Sequence, residues 1–227
     1  MARIGLLGGS FNPAHSGHRR ISLAAARALG LDEIWWLVSP GNPLKERRGM
    51  APFAARFASA RQAARGSPIK VTAIERELGT LYTVDTLAAL VRRYPRHRFV
   101  WLMGADNLAQ FHRWRDWRKI AHLAAIAVVG RPGYDGPAHK APALGWLRRF
   151  VRPAARIRHW TKWRLPALVL LDLPPDRTSA TAIRAANPQW HEAVTKSFHP
   201  TAFRDQVTRR PYQRRRQFAR NRTRSAH

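Results

Sequence analysis

Cysteine is absent from the 227 residues, which excludes a disulfide framework, a thiol nucleophile and any cysteine metal site. Acidic residues are scarce, 13 Asp and Glu against 41 Lys and Arg, and no carboxylate cluster is evident along the chain. No stretch approaches the run of about 18 apolar residues that a membrane span requires. No basic-then-apolar leader precedes the glycines at positions 8 and 9, so a cytoplasmic protein without membrane association is expected. The length suits one domain with a sizeable core plus an insertion or tail.

What is present in excess is positive charge, a formal +28. Part of it is local: Arg204 to His227 contains nine arginines and a single acid, Asp205. Such a segment repels itself and offers little to pack, so residues 191–227 are read as a basic, disordered tail behind a domain spanning 1–190. A body this basic attracts nucleotide phosphates, and equally RNA, DNA or an anionic surface. Charge alone does not choose among them, and a nucleic-acid partner for the tail stays open without being required.

Short apolar runs alternate with helical patterns, which predicts an α/β fold: a Rossmann-like parallel sheet with helices on both faces. Strands are expected at 4–7, 33–38, 69–73, 99–103, 126–129 and 168–171, with helices at 18–29, 53–65 and 83–94. In such a sheet, ligands bind beyond the carboxyl ends of the strands. The segments that follow the apolar runs are therefore the ones to question.

The first of them is the most informative. Gly8-Gly9-Ser10-Phe11-Asn12-Pro13-Ala14-His15-Ser16-Gly17-His18 follows the first strand directly. Glycines allow a tight turn with outward N–H groups, a helix opening at His18 turns its positive end to the same place, and two imidazoles can donate to phosphoryl oxygens. The string is neither Gly-x-Gly-x-x-Gly nor a P-loop. After the sixth strand comes Thr178-Ser179-Ala180-Thr181-Ala182-Ile183-Arg184. There Ser179 and Thr181 are N-cap types, and Arg184 adds a cation within the first turns.

Together these strings resemble the His-x-Gly-His and Ile-Ser-x-Thr-x-Ile-Arg signatures of the nucleotidyltransferase superfamily, with Thr178 where Ile is usual. The longer first string resembles the nicotinate mononucleotide adenylyltransferase family within it. Further segments carry the same resemblance: Tyr82-Thr83-Val84-Asp85-Thr86-Leu87, Gly104-Ala105-Asp106, Trp114 and Arg131-Pro132-Gly133-Tyr134. It covers about Met1 to Pro188, weakens over 137–166 and stops after Trp190.

The resemblance implies a nucleotidyltransferase-type fold and adenylyl transfer from ATP to nicotinate mononucleotide, giving nicotinate adenine dinucleotide and pyrophosphate in NAD synthesis. It implies ATP contacts at Gly8, Gly9, Ser10, Phe11, His15, His18, Gly104, Asp106, Ser179, Thr181 and Arg184. The acceptor would meet Lys45, Thr83, Trp114, Arg115 and Arg131, with Arg115 standing where an aromatic is usual. His15, His18, Lys45 and Arg184 would carry the chemistry. Mg2+ would arrive with ATP, held by phosphates and water, with no dedicated protein metal site. Two alternatives stay open: a different acceptor, such as nicotinamide mononucleotide or phosphopantetheine, and a nucleic-acid-binding protein built on this scaffold.

Overall fold

The structure, a computed structural model, describes residues 1–41, 49–130, 141–172, 178–196 and 204–210. Six strands form one parallel sheet: β1 (Arg3–Gly9), β2 (Glu33–Val38), β3 (Ile69–Thr72), β4 (Arg98–Gly104), β5 (Ala125–Val129) and β6 (Leu168–Leu171). Their order is β3-β2-β1-β4-β5-β6. The chain winds outward from β1 in one direction and then restarts at β4 in the other. A crevice therefore opens between the carboxyl ends of β1 and β4, where the loops leave in opposite directions.

The strands read as near-continuous apolar runs because both faces of the sheet are covered. Ile4, Leu6, Trp35, Leu37, Phe99, Trp101 and Met103 point to one side. There they meet α3 (Ile74–Leu78), α4 (Thr83–Arg93), α5 (Ala105–Gln110), α6 (Trp117–Leu123) and α7 (Pro142–Leu147) through Ile74, Leu87, Leu108, Ile120 and Leu147. Leu7, Ile34, Trp36, Val38, Val100 and Leu102 point to the other side. They pack on α1 (Ser16–Leu29), α2 (Phe53–Ala63) and a 3-10 segment, Ala154–Lys162, whose Trp160 donates its indole N–H to the Leu29 carbonyl at 3.0 Å. After β6 come α8 (Ala180–Ala186) and α9 (Trp190–Lys196).

All six expected strands are present, β2 and β6 with the bounds read from the sequence. One expectation is corrected where it matters: the first helix opens at Ser16, not His18, because His15 serves as its N-cap. Its other end follows the rule for helix stops, with Gly30 in the left-handed region at φ 62°. The second helix stops at Ala63 rather than Arg65. Helices α3, α5, α6 and α7 were not expected, since runs of five to seven residues are too short to display a helical period.

At residue 190, where the sequence reading ends the domain, α9 begins, packing Trp190 and the following Val194 against Ala51 and Ala55. Residues 204–210 lie against the end of β3. Asp205, buried there, accepts from the Thr72 hydroxyl (2.9 Å) and the Ala73 N–H (2.6 Å) with one oxygen, and from the N–H groups of Val207 and Thr208 (both 2.9 Å) with the other. Gln206 pairs with the backbone of Val71 through its side-chain oxygen at 2.8 Å. No described helix is long and apolar enough to cross a membrane.

Candidate active site

The crevice holds a cavity of about 790 Å³, within the range of small-molecule and cofactor sites. Its floor is the turn after β1. His15 accepts the Gly17 N–H at Nδ1 (3.1 Å), and His18 accepts the His15 backbone N–H at its own Nδ1 (3.3 Å). The two histidines thus form a reciprocal cap on α1, the role that Ser and Glu fill in an ordinary capping box. An imidazole that accepts at Nδ1 carries its proton on Nε2 when neutral. Each ring therefore presents an Nε2–H donor, and the ring centroids are 3.9 Å apart.

Packing fixes the rings. His18 lies against Phe11 at 5.0 Å, and Phe11 stacks on the buried Trp36 at 5.0 Å. Phe11 reaches that position with φ at 47°, a left-handed conformation uncommon outside glycine. Gly8 answers to a different constraint. A Cβ there would come within 2.6 Å of the Trp101 ring, so only glycine lets that indole cross the end of β1.

Arg56, on α2 and almost fully buried, braces the loops around the floor. Its Nη1 donates to the carbonyls of Ser10 and Ser39, each at 2.7 Å, and its Nε to the Ala51 carbonyl at 3.0 Å. One guanidinium thereby ties the turn after β1 to the loop after β2. Asn12 adds a second tie, donating to the Gly49 carbonyl and accepting the Ala51 N–H.

The start of α8 forms the second wall. Ser179 caps the helix, accepting the Ala182 N–H at 3.1 Å. Thr181 lies inside the first turn rather than at the cap and accepts from Arg184 Nη2 at 3.3 Å. Arg184 Nη1 donates to the Asn12 carbonyl at 2.7 Å, which docks the second motif on the first across 172 residues of chain. Ser16 and Thr178 meet at 3.4 Å beside it.

The third wall comes from β4, α5 and the start of α4. Asp106 stands at the first turn of α5 with a buried Oδ1 that has no hydrogen-bond partner among the described residues. Such an acceptor suits a donor supplied by a ligand hydroxyl. Trp114 meets Trp101 and Phe111 edge-on, at 6.2 and 5.3 Å. Arg115, at the rim, sits 4.8 Å over the Tyr82 ring and 3.8 Å from Asp85.

The cavity lining brings together Gly8, Gly9, Ser10, Phe11, His15, His18, Thr83, Gly104, Asp106, Trp114, Arg115, Ser179, Thr181 and Arg184. Lys45 and Arg131 lie outside the described residues. Sequence reasoning missed Arg56 and Glu75. Arg56 carried no signal, since an arginine in an alanine-rich helix reads as surface. Glu75 lines the cavity while almost wholly buried, and loss of hydration pushes its carboxyl up to about 8, opposed only by a hydrogen bond from Thr86. Among the described residues, no group of three or more His, Asp or Glu side chains converges as a metal site. The polar groups available would suit Mg2+ carried by nucleotide phosphates, which needs few protein ligands.

Comparison with known proteins gives a consistent result. A profile of the cytidylyltransferase-like family matches residues 6–186. A protein of Erythrobacter litoralis named "Probable nicotinate-nucleotide adenylyltransferase" is 59% identical over 213 residues, which is 92% of this chain and 93% of that one. A protein of Parvibaculum lavamentivorans with the same name is 53% identical over 182 residues, 80% of this chain and 90% of its own. Among solved structures, the Plasmodium falciparum nicotinic acid mononucleotide adenylyltransferase complexed with NaAD superposes with a TM-score of 0.62 at 17% identity, over 86% of this chain and 96% of that one. The last of these speaks for the fold.

Proposed function

The chain belongs to the cytidylyltransferase-like family and, within it, to the nicotinate-nucleotide adenylyltransferase group, and from that premise we propose that it transfers the adenylyl group of ATP to nicotinate mononucleotide, releasing pyrophosphate. The observation that carries the reading is the docking of Arg184 on Asn12, which sets the first turn of α8 beside the paired Nε2–H donors of His15 and His18 in one cavity.

An oxygen of the acceptor's phosphate attacks the α-phosphorus of ATP in line, a new phosphorus–oxygen bond forms, and the bond from that phosphorus to the bridging β-oxygen breaks. The electron pair leaves with pyrophosphate. The attacking oxygen is already anionic, so no general base is needed, and positioning with charge neutralisation suffices. His15 and His18 donate to the α-phosphoryl oxygens, where charge is redistributed during transfer. Ser179, Thr181 and Arg184 hold the outer phosphates at the start of α8. Asp106 accepts from a sugar hydroxyl, and Gly8 to Phe11 and Gly104 form the rest of the ATP side.

On the acceptor side, Trp114 stacks on the pyridine ring, with Thr83 and Arg115 at its carboxylate, Lys45 neutralising phosphate and Arg131 among the remaining acceptor contacts. Mg2+, brought in with ATP and held by its phosphates and water, would supply charge neutralisation to the pyrophosphate leaving group. The enzyme acts in the cytoplasm, and the arginine-rich tail beyond 210 takes no part in the chemistry.

The deciding experiment is pyrophosphate release from MgATP with a panel of acceptors. Nicotinate mononucleotide should be used at least tenfold more efficiently than its amide, about 1.4 kcal/mol, a margin one charge-assisted hydrogen bond supplies. Equal efficiency would remove the acid specificity, and turnover with phosphopantetheine alone would replace the acceptor altogether.

A further inference from the structure

Glu75 is a carboxyl in the wall of a site meant for anions, a placement that needs explaining. It lies on α3, lines the same cavity as Tyr82, Thr83 and Trp114, and is almost completely withdrawn from water. No cation pairs with it among the described residues. On its own helix Arg76 lies over the Phe53 ring, and Glu77 is bound by Arg93 and Arg210. On β2, Glu33 is paired with Lys70. On α4, Asp85 faces Arg115. Asp106 and Arg113 border the cavity, as does the Tyr82 phenol. None of these adds a charge–charge interaction to Glu75.

What Glu75 does touch is Thr86, whose hydroxyl lies 3.3 Å from its Oε1. That hydroxyl is also 3.3 Å from the Tyr82 carbonyl and 2.9 Å from the Thr80 hydroxyl. It has one proton and three acceptors within reach. When Glu75 is a neutral acid it can donate to Thr86, leaving the Thr86 proton for the Tyr82 carbonyl at the entrance of α4. When Glu75 is a carboxylate it draws that proton to itself and puts a negative charge into the cavity wall.

We propose that Glu75 is a positioning residue of the acceptor subsite that works as a neutral acid: through Thr86 it holds the Tyr82–Thr83 entrance of α4 in place for a negatively charged acceptor, and its ionisation weakens acceptor binding. The proposal rests on the functional reading above. Burial, with no cation beside it among the described residues, keeps the neutral form in place at pH 7.

The test is the pH dependence of KM for each substrate in the wild type and in Glu75→Gln, an amide of the same shape that stays neutral. With the carboxyl titrating at about 8, the wild-type KM for nicotinate mononucleotide should rise about tenfold from pH 7 to pH 9, while the KM for ATP rises much less. In Glu75→Gln the acceptor KM should stay flat over that range, near the wild-type value at pH 7. Parallel acceptor profiles in the two proteins, or an ATP KM that climbs in step, would overturn the proposal. Thr86→Val is the second variant: it keeps the volume and removes the relay, and should raise the acceptor KM several-fold at pH 7. An unchanged KM there would also overturn it. If the wild type shows no turnover with nicotinate mononucleotide at pH 7, the functional reading fails and the Glu75 proposal falls with it. Turnover with parallel profiles removes the Glu75 proposal alone.

Discussion

At the scale of single residues, the two imidazoles and one buried acid carry sharp consequences. His18→Ala should cut kcat by about 10²-fold to 10³-fold with a small change in KM, the usual cost of removing one oriented donor from developing charge. Steady-state kinetics on a variant with native circular dichroism checks this, and near-normal turnover would take His18 out of the chemistry. Because His18 also accepts the His15 N–H, His18→Asn, which can still accept at the cap, separates the structural contribution from the chemical one. Glu75 also makes stability depend on pH. Its folded-state value is raised to about 8 from an ordinary 4.5, so below pH 4.5 both states hold the proton and burial of the neutral acid costs nothing in linkage. Between 4.5 and 8 the unfolded chain releases the proton while the folded one keeps it, and stability falls as pH rises. At pH 7 the cost is on the order of 3 kcal/mol. Glu75→Gln should therefore leave Tm unchanged near pH 4 and raise it by several degrees at pH 7, as differential scanning calorimetry would show. A uniform shift at both pH values would contradict a carboxyl titrating with this offset.

At the scale of elements, the site is a set of loop ends held in register by buried donors. Arg56 joins three of those ends, and its loss leaves the carbonyls of Ser10, Ser39 and Ala51 without their partner. Arg56→Ala should cost about 3 kcal/mol in urea unfolding, since each abandoned buried acceptor is worth roughly 1–3 kcal/mol. Arg56→Lys should recover little of it, because an ammonium lacks the planar fork. Arg184→Ala should weaken ATP binding in calorimetry while leaving nicotinate mononucleotide affinity nearly unchanged, and the reverse pattern would exchange the two substrates' places. The sequence made much of this legible. The strands were readable because a sheet covered on both sides leaves uninterrupted apolar runs, and the motif at 8–18 because its glycines and histidines have few uses in that order. The cap at His15 was not legible: histidine is not a common N-cap type, and only the geometry reveals that its Nδ1 faces the helix. Arg56 and Glu75 escaped for a shared reason. A charged residue in a helix is normally at the surface, and nothing local marks the exception.

At the scale of the whole molecule, the late chain returns to the early sheet. Asp205 accepts four hydrogen bonds at the end of β3, two of them from Thr72 and Ala73. A chain ending at Pro200 should keep kcat at saturating substrate, since the proposed catalytic donors lie elsewhere, yet lose about 2 kcal/mol, which for a domain of this size lowers Tm by about 4–8 °C. Asp205→Asn in the full chain should reproduce most of that loss, and an unchanged Tm in both would deny the segment any part in stability. The same contact orders events during synthesis. β3 is an edge strand, and its last turn acquires its partner only after residue 205 has left the ribosome. Until then, the nascent protein carries a half-capped sheet margin of the kind that chaperones and neighbouring chains engage.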